Sequence, residues 1–268
     1  MVRLIATDLD GTLLDTVETL SSENTSALLD AAEAGVHIVV ATGRPRRWLS
    51  VIDALRPADP TVVASNGAMV YHLGTDEVMS RAAIDAERVI ACAEAVRASV
   101  PGVSFAVEFG DSWGREPNYA HHPLEVAELT HVAALETLVG RPEAILKLLI
   151  RHDAMSSNDL HDACLPVIGE SLTTTFSMSG RIGLLELSAA GVSKASALAE
   201  LMAQWQIEPT EAAAFGDMPN DLEMLRLVGH PFAMADAHPW LHGFARAGRH
   251  DEAGVGRAVR QLLDDPVE

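Results

Sequence analysis

Thr7-Asp8-Leu9-Asp10-Gly11-Thr12-Leu13-Leu14 closes a short apolar run, residues 2–7, near the start of the chain. Side chains of a strand alternate between faces, so Asp8 and Asp10 are expected to lean the same way. If that strand is the first of a parallel sheet, both carboxylates stand at its carboxyl end, where open α/β sheets build their sites. Gly11 permits a sharp turn there. Two carboxylates so close repel each other unless a cation or a proton intervenes, so the pair calls for a divalent metal. A capping or turn role would explain a bare Asp-x-Asp, but Asp-x-Asp-Gly-Thr directly after an apolar strand is a more specific pattern.

The next sixty residues supply the parallel sheet. Residues 22–34 carry helical spacing at Leu28, Leu29 and Ala32, and Gly35 sits where a helix-ending glycine belongs. Residues 36–41 are a second apolar run. Pro45 fits the first position of a further helix reaching about Leu55. Residues 61–64 are a third strand. Strand, helix, strand, helix, strand predicts a parallel sheet with crossover helices. The rhythm resumes late in the chain. A helix is expected over 194–205, a strand over 212–215, a helix over 219–227, a strand over 231–234 and a last helix near 252–263. The middle reads differently. A helix over 85–99 is followed by strand-like runs at 103–107, 144–150, 173–178 and 183–187, interrupted by a polar loop over 108–123. This order predicts an α+β insertion, with residues 1–80 and 187–268 forming the main domain and 81–186 the insert.

Three other strand ends carry suggestive chemistry. Ala41-Thr42-Gly43-Arg44 places a hydroxyl and a glycine before a helix start, a donor set that suits a phosphate, although a plain N-cap has the same look. Ser65-Asn66-Gly67-Ala68 ends the third strand and reads equally well as an Asn-Gly turn. Phe215-Gly216-Asp217-Met218-Pro219-Asn220-Asp221-Leu222 puts Asp217 at a strand terminus, as Asp8 is. Asp221 there could simply complement the helix dipole. Lys194 begins a helix after Gly191-Val192-Ser193, where a cation opposes the macrodipole by about 0.3–1 kcal/mol. Of the 19 basic residues only Lys194 and Lys147 are lysine, so that placement implies an anionic partner. Lys147, inside the 144–150 run, is expected to pack its stem and keep its head in solvent.

Composition narrows the class. The chain has 268 residues, of which 48% are hydrophobic, within the roughly 45–50% of ordinary globular chains. A chain this long buries roughly 70–75% of its unfolded surface and needs no covalent staples. The formal net charge of −19 repels phosphate backbones and anionic lipid, so nucleic acid and membrane surfaces are not the expected partners. Cys92 and Cys164 make no disulfide framework and no cysteine zinc cluster; they read as reduced interior thiols. Without a leader-like start or a run long enough to span a bilayer, a soluble cytoplasmic protein is expected. Eleven histidines, His121-His122, His152 and His161 among them, lack zinc-site spacing.

Taken together, these motifs resemble a haloacid dehalogenase-superfamily hydrolase of the Cof-type branch, with a large α/β cap. The resemblance rests on Asp8-Leu9-Asp10-Gly11-Thr12, Thr42-Gly43-Arg44, Lys194, and Gly216-Asp217 with Asn220-Asp221, in that order. Ser65–68 and the stretch around 191–198 are also family-like. The interval between Thr42 and Lys194 is long enough to hold the cap. One departure is Ala235-Asp236, where relatives usually carry Gly-Asn; it leaves the motif residues intact and alters the charge of that loop.

The resemblance implies a Rossmann-like core with helices on both faces and an inserted α+β cap that sets substrate specificity. It implies a Mg²⁺-dependent phosphatase acting on a small phosphorylated metabolite, a sugar phosphate or a phosphorylated cofactor, through an aspartyl-phosphate. Asp8 would be the nucleophile and Asp10 the general acid and base. Asp8, Asp217 and the Asp10 backbone carbonyl would hold Mg²⁺. Thr42, Gly43, Lys194 and Asn220 would grip the phosphoryl oxygens, and Asp221 would orient its neighbours. Arg44 and Asn66, with Trp113, Arg115, Tyr119 and His121 of the insert's loop, are candidates for substrate specificity. A phosphomutase of the same superfamily is one alternative and a non-catalytic phosphometabolite sensor another. The sensor reading predicts loss of the nucleophile or of the metal-binding Asp, and both residues are present.

Overall fold

The structure of the chain, a computed structural model, describes residues 1–121, 124–177 and 181–264. In chain order its strands are β1 (Leu4–Thr7), β2 (His37–Ala41), β3 (Thr61–Ala64), β4 (Met69–His72), β5 (Val78–Arg81), β6 (Ser104–Glu108), β7 (Trp113–Arg115), β8 (Thr130–Val132), β9 (Lys147–His152), β10 (Leu172–Thr175), β11 (Gly183–Ala189), β12 (Ala212–Gly216), β13 (His230–Ala233) and β14 (Ala245–Arg246). The α-helices are α1 (Ser22–Glu33), α2 (Ala86–Ser99), α3 (Leu135–Val139), α4 (Ser157–Ile168), α5 (Lys194–Trp205), α6 (Leu222–Leu227) and α7 (Gly254–Asp264). They divide between two compact units. The first comprises Met1–Arg44, Trp48–Ser80 and the chain from Ser193 onward, and the second comprises Pro45–Arg47 and Arg81–Val192.

The first unit is built on an eight-stranded sheet of order β14-β13-β12-β1-β2-β3-β4-β5. From β14 to β3 every neighbouring pair is parallel, and β4 returns antiparallel along β3. Parallel strands with helices on both faces bury both sets of side chains, which is why they read as unbroken apolar runs. β1, β3 and β12 are buried at every position. α1 packs on α7, and α5 packs on α6. The register sets Thr7 opposite both Val40 and Phe215, and Ala41 opposite Val63. The carboxyl ends of β1, β2, β3 and β12 therefore lie side by side.

The expected helix from Pro45 to about Leu55 is replaced by two 3₁₀ segments, Arg46–Trp48 and Ser50–Ala58. The buried residues Leu49, Ile52 and Leu55 recur every third position, the period of a 3₁₀ helix rather than of an α-helix. The helix expected over 219–227 likewise opens as a separate turn, Pro219–Asp221, before α6.

The second unit carries a six-stranded sheet of order β10-β11-β9-β6-β7-β8, antiparallel except for the β7–β8 pair. α2 packs on α3 and α4, and α4 on β10 and β11. β11 continues to Ala189, beyond the boundary expected at 187, because its whole length pairs with β9 or β10. The strand expected over 173–178 is β10, Leu172–Thr175, and Met178 lies outside the described residues, as do His122 and Pro123.

Three expectations in this unit change. Trp113 and Arg115 belong to β7 rather than to a loop, because they pair with Glu108 and Ala106 of β6. Trp113 and Tyr119 are buried with Ala106 and Leu149 in a small apolar cluster, their rings edge to face with centroids 6.0 Å apart. The Lys147 head is not in solvent: it is 3% exposed and donates to Glu186 Oε1 at 2.6 Å. Cys92 on α2 and Cys164 on α4 are both buried free thiols.

Candidate active site

Asp8 is the first residue past β1, and its N–H donates to the Phe215 carbonyl of β12 at 3.0 Å. The chain then turns tightly through Leu9–Leu13. Gly11 takes a φ of +72° in this turn, and a Cβ there would stand 2.3 Å from Asp217 Oδ2. Glycine is required on both counts, and its lack of a side chain lets the turn reach the end of β12. Thr12, next in the turn, donates its hydroxyl to Asp217 Oδ1 at 3.1 Å. Sequence reasoning assigns Thr12 no role; its place beside Gly11 is the signal that could have found it.

Lys194 opens α5, whose first turn is fixed by a reciprocal cap between Ser193 and Ser196. Its side chain is wholly buried, and Nζ donates to Asp8 Oδ1 at 2.5 Å and to Asp221 Oδ1 at 2.7 Å. The other oxygen of Asp221 accepts the N–H groups of Asp217 and Met218, at 3.0 and 3.1 Å. Asp221 is thus committed on both oxygens, and it fixes Lys194 and the backbone of Asp217 together. This is more than a charge complementing a helix dipole.

Asp8, Asp217 and Asp221 offer carboxylate oxygens that all lie within 4.8 Å of one another. Burial pushes the Asp8 carboxyl well above its ordinary range; the Lys194 ammonium pulls it back, and Asp221, Asp217 and Asp10 add to the rise. Asp217 is pushed up to about 7, by burial first and then by Asp221, against Lys194 and the Thr12 hydroxyl. Burial also disfavours the Lys194 charge, but Asp221 and Asp8 more than offset it and hold the ammonium above its ordinary value. Three clustered carboxylates against one ammonium leave negative charge uncompensated. Hard oxygen donors with excess charge fit a hard divalent cation. Asp221 accepts hydrogen bonds on both oxygens, whereas Asp8 and Asp217 each accept on one, so these two are the side chains with an oxygen to give.

The Asp10 carboxylate is not part of that cluster. It is 48% exposed and turned toward Arg44, which donates from Nε at 2.9 Å and from Nη2 at 2.5 Å. Arg44 Nη2 also reaches Glu18 Oε2 at 2.8 Å. The same-face reading of Asp8 and Asp10 fails because β1 stops at Thr7, and the strand alternation does not extend through the turn. The structure therefore sets Arg44 against Asp10, a partnership between residues 34 positions apart that no local motif signals.

Around this centre stand the other strand ends. Thr42 is buried, and its hydroxyl accepts the Arg44 N–H at 3.0 Å, which leaves its own proton to donate. Gly43 lies between them. Asn220 Nδ2 donates to Asn66 Oδ1 at 3.2 Å, and both side chains are buried. Asn220 Oδ1 and the Ser65 hydroxyl are buried without a hydrogen-bond partner among the described residues. Buried polar atoms in native folds are nearly always satisfied, so orphans beside a row of strand ends mark a place where a polar ligand fits. The loop with the unusual Ala235-Asp236 lies close by: the His238 N–H donates to the Asp217 carbonyl at 2.7 Å. Asp236 stands 3.3 Å from His250 Nδ1.

The four candidates of the second unit are placed less distinctively. Arg115 is engaged with Glu125 and with the Tyr119 carbonyl, at 3.1 and 3.2 Å. Trp113 and Tyr119 are in the apolar cluster of that unit, and His121 is exposed, 3.7 Å from Glu125.

Comparison with known proteins gives a consistent picture. Among curated relatives, the 5-amino-6-(5-phospho-D-ribitylamino)uracil phosphatase YbjI of Escherichia coli is 28% identical over 272 residues, covering 98% of this chain and 96% of its own length. The phosphoglycolate phosphatase of Methanothermobacter thermautotrophicus is also 28% identical, over 269 residues, covering 98% of this chain and 99% of its own. Among solved structures, SMU.1108c of Streptococcus mutans superposes with a TM-score of 0.84 at 24% identity, covering 99% of this chain and all of that one. The phosphatase BT1666 of Bacteroides thetaiotaomicron, of the haloalkanoate enzyme superfamily, gives 0.81 at 24% identity, covering 98% and 96%. The sequence profile of the haloacid dehalogenase-like hydrolases matches residues 5–259, a span that begins in β1 and ends in α7, and the chain belongs to that family.

Proposed function

We propose that this hydrolase removes the phosphoryl group of a small phosphorylated metabolite by passing it first to Asp8 and then to water. The observation that carries the reading is the buried Asp8 carboxylate, held by Lys194 beside Asp217 at the carboxyl ends of parallel strands. An Asp8 oxygen attacks phosphorus, and the bond to the leaving oxygen breaks. Asp10 gives that oxygen its proton, so the product departs as an alcohol. The Asp10 carboxylate then takes a proton from water, whose oxygen attacks the phosphorus of the aspartyl-phosphate. Inorganic phosphate leaves and the Asp8 carboxylate is restored.

Each supporting group has a physical task. The Lys194 ammonium donates to Asp8 Oδ1 and favours its charged form, opposing the burial that favours the neutral one. Thr42, Gly43, Lys194 and Asn220 supply donors toward the phosphoryl oxygens, where fixed dipoles in a dry site are most effective. Arg44 fixes the direction of Asp10 by donating to its carboxylate from Nε and Nη2. Mg²⁺ is the cation we assign to Asp8, Asp217 and the Asp10 main-chain carbonyl; when bound it neutralises charge on the transferring group. The second unit, 45–47 and 81–192, is the part we assign to substrate choice, with Trp113, Arg115, Tyr119 and His121 as its candidates. The YbjI and phosphoglycolate phosphatases share the same identity with this chain and are named for different substrates, so overall identity favours neither.

Release of inorganic phosphate from p-nitrophenyl phosphate and from a panel of phosphorylated metabolites tests the reading, with Mg²⁺ or with EDTA. Turnover that needs Mg²⁺ and is lost in Asp8→Asn supports it. An isomerised phosphate ester in place of free phosphate would make the protein a mutase. Binding of phosphate esters without any turnover would make it a sensor.

A further inference from the structure

The Ser65-Asn66-Gly67 turn is more than a connection between β3 and β4. All three residues have positive φ, at 52°, 56° and 100°. Two of them are not glycine, and backbone held so far from the usual regions persists only where its surroundings over-determine it. Four contacts do so here. The Ser65 N–H donates to the Arg44 carbonyl at 3.0 Å, and the Asn66 N–H to the Thr42 carbonyl at 2.9 Å. The left-handed turn thus aims two successive donors at the segment bearing Thr42 and Arg44. A Cβ on Gly67 would stand 2.3 Å from the Ser193 carbonyl oxygen, so the turn lies directly against the residue that caps the helix of Lys194. The fourth contact is the 3.2 Å hydrogen bond from Asn220 Nδ2 to Asn66 Oδ1. One turn of three residues therefore meets three segments that are distant in sequence, and each of them carries a candidate phosphate-binding group.

We infer that Asn66 is a positioning residue that acts through Asn220, and that the Ser65–67 turn sets the mutual placement of Thr42, Lys194 and Asn220. This rests on the phosphatase reading, and it gives Asn66 a task different from contact with the variable part of a substrate. Asparagine meets both demands of the position: it tolerates left-handed backbone better than most residues, and it carries a carbonyl oxygen. One N–H of Asn220 is committed to that oxygen, so the amide plane is fixed and the second N–H has a single direction.

The test is a double-mutant cycle with Asn66→Gly, Asn220→Ala and the pair. Glycine keeps the left-handed backbone and removes only the side chain. Two quantities are read: affinity for inorganic phosphate with Mg²⁺ by calorimetry, and kcat/KM for several unrelated phosphate monoesters. In the wild-type background Asn66→Gly is expected to weaken phosphate binding and kcat/KM by about ten-fold, by the same factor for every ester. In the Asn220→Ala background it is expected to add less than about two-fold, the non-additivity of residues acting as one unit. A full ten-fold loss in both backgrounds, a loss that differs from ester to ester, or no loss at all would each overturn the inference. The ester-dependent pattern would instead make Asn66 a specificity residue. The calorimetric arm needs no turnover: a wild type that binds phosphate without hydrolysing esters would defeat the phosphatase reading and still decide the role of Asn66.

Discussion

At the scale of single residues, the ammonium of Lys194 joins two buried carboxylates, Asp8 and Asp221. Removing one partner of such a cluster leaves charge uncompensated in a dry place, which costs about 3–5 kcal/mol. Lys194→Met is therefore expected to lower the urea midpoint sharply as well as to abolish turnover, and Asp221→Asn in that background to recover part of the stability. The carboxylates also set a dependence on pH and metal. Asp8 lies well above its ordinary range and Asp217 is pushed up to about 7, both chiefly by burial. An acid whose folded pKa exceeds its unfolded value binds protons more tightly when folded. Its stabilising contribution is complete below the unfolded value near 3.8 and is lost as pH rises through about 7. In EDTA the melting temperature is expected to fall from pH 5 to pH 8, and added Mg²⁺ to raise it more at pH 8. A Mg²⁺ effect equal at both values would count against these carboxylates as the cation's seat. The positions of Asp8, Asp10, Thr42, Lys194 and Asp217 were legible because each follows a strand end or opens a helix. Their partners were not. The Arg44–Asp10 and Lys194–Asp221 pairs form through space, between segments with no local pattern in common.

At the scale of elements, the turn after β1 depends on Gly11. Gly11→Ala brings a methyl against Asp217 Oδ2 and strains a left-handed backbone. It is expected to weaken Mg²⁺ binding by about ten-fold or more, the scale found when partners of metal ligands are disturbed, and titration calorimetry reads this directly. In the second unit, β9 and β11 carry Lys147 and Glu186, a buried pair to which the Ser177 hydroxyl adds a hydrogen bond at 3.1 Å. Lys147→Met is expected to destabilise the fold by about 3–5 kcal/mol, and Lys147→Met with Glu186→Leu to recover part of it; urea unfolding of both variants checks this. The elements legible in sequence were those with strong local signals: the apolar runs of β1, β2 and β3, and α1 and α5 with their serine caps. Those missed are the helices α3 and α4 of the second unit and five short strands. Of these strands, β7, β8 and β14 have two or three residues each, too few for a periodic pattern. Trp113 and Arg115, flanking a glycine, read as loop until β6 is set beside them. Leu49, Ile52 and Leu55 were apolar at helical-looking spacing, and only the strict step of three separates 3₁₀ from α.

At the scale of the whole molecule, the order of elements decided the class. Strands alternate with helices at both ends of the chain, and between them lies a unit with its own six-stranded sheet. No helix of the described residues is long and apolar enough to cross a membrane. The excess of 38 acidic over 19 basic residues gives no general attraction for anions, so binding of a phosphate ester falls to the few local donors at the strand ends. Everything proposed for the chemistry turns on Asp8 itself receiving the phosphoryl group. An acid quench of the enzyme during its first turnovers, with Mg²⁺ and a substrate it hydrolyses, followed by mass analysis of the peptide containing residue 8, asks this without an intermediary. A phosphoryl adduct on Asp8 is expected, forming no more slowly than phosphate is released, with neither adduct nor turnover in Asp8→Asn. Sustained turnover with no adduct, together with an Asp8→Asn variant that still hydrolyses the substrate, would contradict a covalent role for Asp8.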